Sequence, residues 1–207
     1  MSLELISWRD ESSNDMGSLL ASKVAVCNRI DILTGYFFFD GFSGLGAALE
    51  TNNELKLRIL VGMDAGVDTR GLVYRVYEYE TSQPPADCSQ EYLQTLRVLL
   101  AHPDPRNSLT SEQAGLYETF SKMIAEGRLE IRKTKHPNHS KVCVFRQGDQ
   151  LSFSAGSSNF SYSGLCGRNE FNVLADERAH DVAAVFEALW GAALPITKFS
   201  QQSKTAE

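Results

Sequence analysis

His139 and Lys141 stand two positions apart, where apolar and β-branched residues predict a strand over 140–145. Side chains at alternate positions of a strand point to the same face of its sheet. An imidazole and an ammonium group would therefore project side by side. An imidazole can act as a nucleophile or as a general acid and base, and an ammonium group supplies a fixed positive charge.

A β-hairpin is predicted to follow this segment. A turn at 147–150 and a returning strand over 151–155 would bring the next residues back beside His139. Gly156 allows a tight turn and a close approach of a ligand to the backbone. Ser157 and Asn159 add neutral hydrogen-bond donors, so the combined site suits the charged oxygens of a phosphodiester.

Two further residues, Glu170 and Ser158, complete the predicted site. Glu170 opens the next predicted strand, where its carboxylate could orient an imidazole by accepting from the ring N–H. Ser158 lies within the same turn as Ser157, and we predict that Gly156 and Ser158 contact the substrate.

A basic segment surrounds the His139 region in a chain whose net charge is −6. Residues 128–146 hold one acid, Glu130, and six basic residues, namely Arg128, Arg132, Lys133, Lys135, Lys141 and Arg146. A local basic strip on an acidic body suits phosphate binding. It is equally typical of a solvated strand edge protected by lysines. On the first interpretation, the predicted substrate contacts are Arg132, Lys133 and Lys135.

These motifs resemble the phospholipase D superfamily, whose members carry His-x-Lys, then Gly-Ser-x-Asn, then a glutamate. Residues 156–165, Gly-Ser-Ser-Asn-Phe-Ser-Tyr-Ser-Gly-Leu, are similar to the nuclease and helicase-associated branch, as is the predicted strand at 57–62. The resemblance departs at one position, because the family's aspartate falls at Arg146. Asp149 is near in sequence, but it belongs to the predicted turn.

The resemblance implies a phosphodiesterase that needs no metal and no cofactor. His139 would attack phosphorus and form a covalent phosphohistidine, and a second histidine would protonate the leaving oxygen. Lys141 would hold the phosphate oxygens. Because the chain has one His-x-Lys and two are needed, the resemblance implies a homodimer with the site on its two-fold axis.

The leading functional hypothesis is therefore a nuclease, with DNA as the favoured substrate. One alternative is a non-cleaving nucleic-acid-binding or dimerisation module of a larger helicase or restriction system. Phospholipid hydrolysis ranks lower, because the sequence shows no membrane segment, no amphipathic basic helix and no second His-x-Lys. Tyr74, Tyr77 and Tyr79 could line either a surface strand or a nucleic-acid groove.

The predicted elements give an α/β fold, in which a mixed β-sheet is sandwiched between helices as in the phospholipase D-like fold. The predicted domain spans 1–199, and 200–207 is expected to be a disordered polar tail. Strands are predicted at 29–39, 55–63, 129–133, 140–145, 151–155 and 171–175. Helices are predicted at 14–28, 42–51, 88–101, 110–126 and 178–191.

The cysteines indicate the compartment. Cys27, Cys88, Cys143 and Cys166 form no CxxC pair, and free buried thiols are typical of a reducing environment. The sequence shows neither a secretory signal at its start nor an apolar run long enough to cross a membrane. We therefore expect a cytoplasmic protein.

Overall fold

The computed structural model of the chain describes residues 3–6, 15–37, 39–42, 44–63, 66–67, 74–75, 111–167 and 169–197. Its strands are β1 (Leu3–Ile6), β2 (Arg29–Thr34), β3 (Lys56–Val61), β4 (Gly66–Val67), β5 (Tyr74–Arg75), β6 (Leu129–Lys133), β7 (Val142–Gln147), β8 (Gln150–Gly156), β9 (Asn172–Ala175) and β10 (Leu194–Pro195). Its α-helices are α1 (Met16–Val26), α2 (Gly46–Thr51), α3 (Ser111–Ala125) and α4 (Ala179–Ala192).

Eight strands form one mixed sheet in the order β1-β9-β8-β7-β2-β3-β6-β10. β2, β3 and β6 run parallel, and the remaining pairs are antiparallel. β4 and β5 form a separate two-stranded sheet. The predicted α/β class with a mixed sheet is confirmed.

The larger core lies between one face of the sheet and α1, α2 and α3. Alternate residues of β2 and β3, such as Ile32 and Ile59, meet Leu20 of α1, Leu49 of α2 and Phe120 of α3. These β-branched and aliphatic side chains have the strand and helix spacing that the sequence predicts.

Helix α4 covers part of the opposite face. Leu33 and Leu60 alternate with the residues of the first core and pack against Phe186 and Trp190 of α4. The helices therefore lie on both faces of the sheet, as expected. Among the described helices, none is both long and apolar enough to span a membrane.

A charge cluster around the buried Asp31 joins this face to α4. Asp31, 2% exposed, bonds Arg58 on the neighbouring strand at 2.6 Å and lies 3.2 Å from Arg29. Glu187 of α4 closes the cluster by accepting from Arg58. Burial opposes the charge of Arg58, but the hydrogen bonds to Asp31 and Glu187 outweigh it and raise its pKa. The same Arg58 bond lowers the pKa of Glu187.

Several predicted bounds need correction. The strand predicted over 29–39 ends at Thr34, because the Thr34 hydroxyl donates to the carbonyl of Tyr36 at 2.7 Å and turns the chain. The strand predicted from 140 begins at Val142. Edge strand β1 was not predicted, because four residues carry too little pattern.

One helix cap lies where the sequence places it, whereas several other predicted features lie outside the described residues. Two residues suited to capping, Asn14 and Asp15, precede the apolar spacing of the first helix. The structure uses Asp15, whose carboxylate accepts from the Ser18 amide at 2.7 Å. The helix predicted over 88–101, Cys88 and the 200–207 tail lie outside the described residues, as do Tyr77, Tyr79 and the side chain of Tyr74. Cys27, Cys143 and Cys166 are free thiols.

Candidate active site

His139 is held at the carboxyl end of the parallel strands. The preceding residue, Asn138, packs against Gly62 just after β3, where its amide donates to the Gly62 carbonyl at 3.0 Å. A side chain at Gly62 would overlap the Asn138 backbone, so a glycine is required there. The Asn138 carboxamide also accepts from the amide of Ser140 at 2.9 Å. These bonds fix the backbone on both sides of the exposed His139.

Lys141 lies beside His139, although both precede β7. Its Nζ donates to the carbonyl of His139 at 2.6 Å. The predicted neighbouring placement of an imidazole and an ammonium group is therefore present, but in an extended segment before the strand. The Lys141 ammonium group has three donors, so two are left for a ligand.

The predicted hairpin returns the Gly156–Asn159 turn to this segment. β7 and β8 pair with Val142 opposite Ala155, and the Gly156 amide donates to the Lys141 carbonyl at 3.1 Å. An added Cβ at Gly156 would lie 2.1 Å from the carbonyl oxygen of Phe171. Gly156 is thus needed for close packing against β9.

Gly35, which the sequence analysis did not single out, separates the two halves of the site. An added Cβ there would lie 2.7 Å from Cδ2 of His139 and 3.2 Å from Oδ1 of Asn159. His139 and Asn159 therefore flank the same glycine. The signal for it in the sequence was a glycine at the end of a buried parallel strand, where ligands often bind.

Ser157 and Glu170 form a hydrogen-bonded pair. The Ser157 hydroxyl donates to Glu170 at 2.5 Å and accepts from the amide of Phe171 at 3.0 Å. Because a serine has one O–H, this arrangement leaves Ser157 no side-chain donor for a phosphate oxygen. Among the contacts of the described residues there is no hydrogen bond between Glu170 and His139, so Glu170 is held by Ser157.

Asn159 presents a donor. Its Oδ1 accepts from the backbone amide of Tyr36 at 3.1 Å, and this pairing sets the orientation of the carboxamide. The NH₂ group must then point away from Tyr36. Asn159 is half-buried, and its Oδ1 lies on the side of Gly35.

The electrostatics favour the neutral form of His139 by lowering its pKa. Burial lowers the pKa of His139, and the positive charge of Lys141 lowers it further. Burial also lowers the pKa of Lys141, while the Glu170 carboxylate opposes that shift. A neutral imidazole has the free lone pair that a nucleophile needs.

Two of the predicted substrate-binding residues, Ser158 and Arg132, form hydrogen bonds within the protein. Ser158 is buried, and its hydroxyl accepts from the Asn172 carboxamide at 2.9 Å. Arg132 donates to Glu130 and to the carbonyl of Trp190. These partners are structural, so the geometry gives no support to substrate binding by either residue.

The predicted basic strip is not one surface. β6 and β7 are separated by β2 and β3, which scatters its members over the sheet. Lys133 is 5% exposed, and its Nζ donates to the carbonyls of Gly62 and Thr134. Of the three predicted contacts in this segment, only Lys135 is exposed.

Arg146 and Asp149 lie far from His139. Arg146 is five residues beyond Lys141 along β7, a separation of about 17 Å in a strand. It lies opposite Arg29, at the other end of the sheet. Asp149 is in the exposed turn between β7 and β8. The position of the missing family aspartate is therefore outside the site.

Comparison with known proteins finds similar folds among solved structures. No protein-family profile and no curated protein sequence matches the chain. Among solved structures, Nuc from Salmonella typhimurium, described as a phospholipase D family member, is 16% identical with a TM-score of 0.48, over 94% of this chain and 97% of its own. NucT from Helicobacter pylori is 12% identical with a TM-score of 0.52, over 94% and 98%.

A third structure is phosphatidylserine synthase from Haemophilus influenzae, 15% identical with a TM-score of 0.55. The match covers 98% of this chain and 42% of the synthase. The chain has the phospholipase D fold. The predicted fold is thus confirmed, and two residues of the predicted site, His139 and Asn159, flank Gly35 just after β2.

Proposed function

We propose that this protein is a metal-independent phosphodiesterase of the phospholipase D type that cleaves nucleic acid, with DNA favoured. The observation that carries the proposal is the arrangement around Gly35. The His139 imidazole and the Asn159 carboxamide flank this glycine, and the Lys141 ammonium group lies beside His139. These are the groups that a displacement at phosphorus requires.

His139 is the proposed nucleophile. A nitrogen of its imidazole forms a bond to phosphorus as the bond from phosphorus to the leaving oxygen breaks, and the product is a phosphohistidine. Water then attacks the same phosphorus, and the N–P bond breaks to release His139. Lys141 and the Asn159 NH₂ group stabilise charge on the non-bridging oxygens in both steps.

Proton transfer needs a second imidazole. It protonates the leaving oxygen, which departs as an alcohol, in the first step, and takes a proton from water in the second. The motif supplies one His-x-Lys, so His139 of the partner subunit is the proposed acid. A homodimer with the site on its two-fold axis brings the two imidazoles together.

An apolar face next to the site supports this dimer. Leu3 and Leu5 of β1 lie opposite Ala175 and Val173 of β9, so all four share one face of the sheet. The pairing of β8 and β9 continues to Phe171, whose carbonyl accepts from the Ser157 amide at 2.9 Å. Leu3, Leu5 and Phe171 are 71%, 61% and 60% exposed, which is unusual for large apolar side chains.

Nucleic acid is favoured over phospholipid by the similarity of residues 156–165 to the nuclease and helicase-associated branch. A helicase or restriction module, in the same or an associated polypeptide, is the corresponding proposed partner. The phosphatidylserine synthase structure makes phospholipid the substrate to test against it.

The test compares the wild type with His139→Ala and His136→Ala in EDTA. His136 is an exposed histidine three residues away, so it controls for loss of a nearby imidazole. The substrates are single-stranded DNA, duplex DNA, RNA, phosphatidylcholine vesicles and bis(p-nitrophenyl) phosphate. We expect DNA cleavage by the wild type and His136→Ala and none by His139→Ala. If His139→Ala were as active as the wild type, His139 would be excluded as the nucleophile. If the wild type hydrolysed only the vesicles, nucleic acid would be excluded as the substrate.

A further inference from the structure

The last residue of β2 bonds to both halves of the active site region. Thr34 is 1% exposed. Its hydroxyl donates to the carbonyl of Tyr36 at 2.7 Å and accepts from the backbone amide of Phe160 at 2.9 Å. One side chain thereby connects the segment that leaves β2 to the residue that follows Asn159.

The segment held by Thr34 touches both Asn159 and His139. The Tyr36 amide donates to Oδ1 of Asn159 at 3.1 Å. The Tyr36 ring meets the imidazole of His139 edge to face, with the ring centroids 5.6 Å apart. A shift of Tyr36 would therefore change both the direction of the Asn159 NH₂ group and the lateral support of the imidazole.

Aromatic packing fixes the other side of the same connection. Phe37 forms an isolated parallel bridge with Phe160, and their rings stack with centroids 5.6 Å apart. Phe42 packs edge to face against Phe160. This packing holds Phe160 whether or not a hydroxyl is present at position 34, so the hydroxyl controls mainly the more exposed Tyr36 side.

We infer that Thr34 is a positioning residue for the proposed reaction, acting through Tyr36 to orient Asn159 and His139. The inference rests on the proposed function. Thr34 itself does not touch the substrate. Its two hydrogen bonds set the turn that aims a donor and a nucleophile at one phosphorus atom.

Thr34→Val tests this with little change of volume or strand preference, because both side chains are β-branched. Thr34→Ser keeps the hydroxyl. The matched control is Thr197→Val, since Thr197 is also buried and its hydroxyl accepts from the backbone amide of Ile131 at 3.0 Å, away from the site. Each variant is measured for its melting temperature and for kcat and KM on the substrate that the wild type cleaves.

We expect Thr34→Val to lower kcat by about ten- to a hundredfold with KM changed less than about twofold, because misplaced groups cost mainly rate. Thr34→Ser should recover most of the activity. Thr197→Val should melt at a lower temperature with an unchanged kcat. Wild-type kcat in Thr34→Val would overturn the inference, as would equal losses in all three variants.

An NMR measurement separates this inference from the proposed function. In Thr34→Val, the side-chain amide signals of Asn159 and the ring signals of His139 should shift, while in Thr197→Val they should not. If His139→Ala remained active, the proposed function would fail but these shifts would still test the positioning role. If the shifts were absent, the positioning role of Thr34 would be excluded, while the proposal that His139 is the nucleophile would stand.

Discussion

The ammonium group of Lys141 donates a hydrogen bond to the backbone carbonyl of His139, with Nζ 2.6 Å from the carbonyl oxygen. The bond holds a positive charge close to the proposed nucleophile. Burial is the larger cause of the lowered pKa of His139, and this charge adds to it. Lys141 therefore has two roles in the proposal: it contacts phosphate, and its charge favours the neutral form of His139.

Removing the Lys141 charge should raise the pKa of His139. In the wild type, the His139 pKa should lie below its usual 6.5, and Lys141→Met should move it upward. Titration of the His139 ring signals by NMR measures both values. Lys135→Met removes a neighbouring exposed charge and should leave the His139 pKa almost unchanged. A lower pKa in Lys141→Met would contradict this account of the site.

Restoring the family's aspartate should not increase activity. Arg146 lies about 17 Å along β7 from Lys141, opposite Arg29. We therefore expect Arg146→Asp to keep kcat/KM within about twofold of the wild type, because Coulomb effects at this distance are screened by salt. Steady-state kinetics at physiological salt make the comparison. A rise of tenfold or more would mean that position 146 acts in catalysis.

Charge on the apolar face should separate the proposed dimer. Leu3→Glu would place a carboxylate among exposed apolar side chains that the proposed dimer would cover. We expect light scattering at micromolar concentration to report a dimer for the wild type and a monomer for Leu3→Glu, with activity lost in parallel. Val26→Glu changes a similarly exposed apolar residue of α1 and should remain dimeric. A monomeric, active wild type would exclude the shared site.

The charge cluster around the buried Asp31 should matter for stability. Asp31→Asn leaves Arg58 and Arg29 partly uncompensated beside α4. Since Arg58 keeps Glu187 as a partner, we expect a loss of about 2–3 kcal/mol in the free energy of unfolding, below the usual cost of breaking a fully buried pair. Urea denaturation measures this loss. Asp149→Asn, in the exposed turn, should cost less than about 0.5 kcal/mol.

Much of the fold follows from local pattern. Ile32 and Ile59 lie in strands dense in β-branched residues, and a helical segment between them implies a parallel pair. Asp15 and Gly127 carry capping signals, and Gly127 has the positive φ of 70° that favours glycine after a helix. Edge strand β1 could not be predicted, because its pairing with β9 depends on contacts distant in the chain.

The site was predictable where a motif keeps its residues close in sequence. His139, Lys141 and Asn159 meet because one hairpin joins them. Gly35 and Thr34 come from a strand more than a hundred residues earlier, and only the sheet order brings them to the hairpin. The basic strip failed for the same reason, since residues adjacent in sequence went to strands that are not adjacent in the sheet.

The formation of a phosphohistidine at His139 is tested most directly by mass spectrometry of protein quenched during turnover in EDTA. After rapid mixing with DNA and proteolysis under conditions that preserve phosphoramidates, the peptide containing His139 should carry the mass of a covalently bound phosphodiester product. The same peptide from Asn159→Ala should carry less of it, and His139→Ala should carry none. DNA cleavage without an adduct on His139, or with the adduct on another residue, would contradict the account.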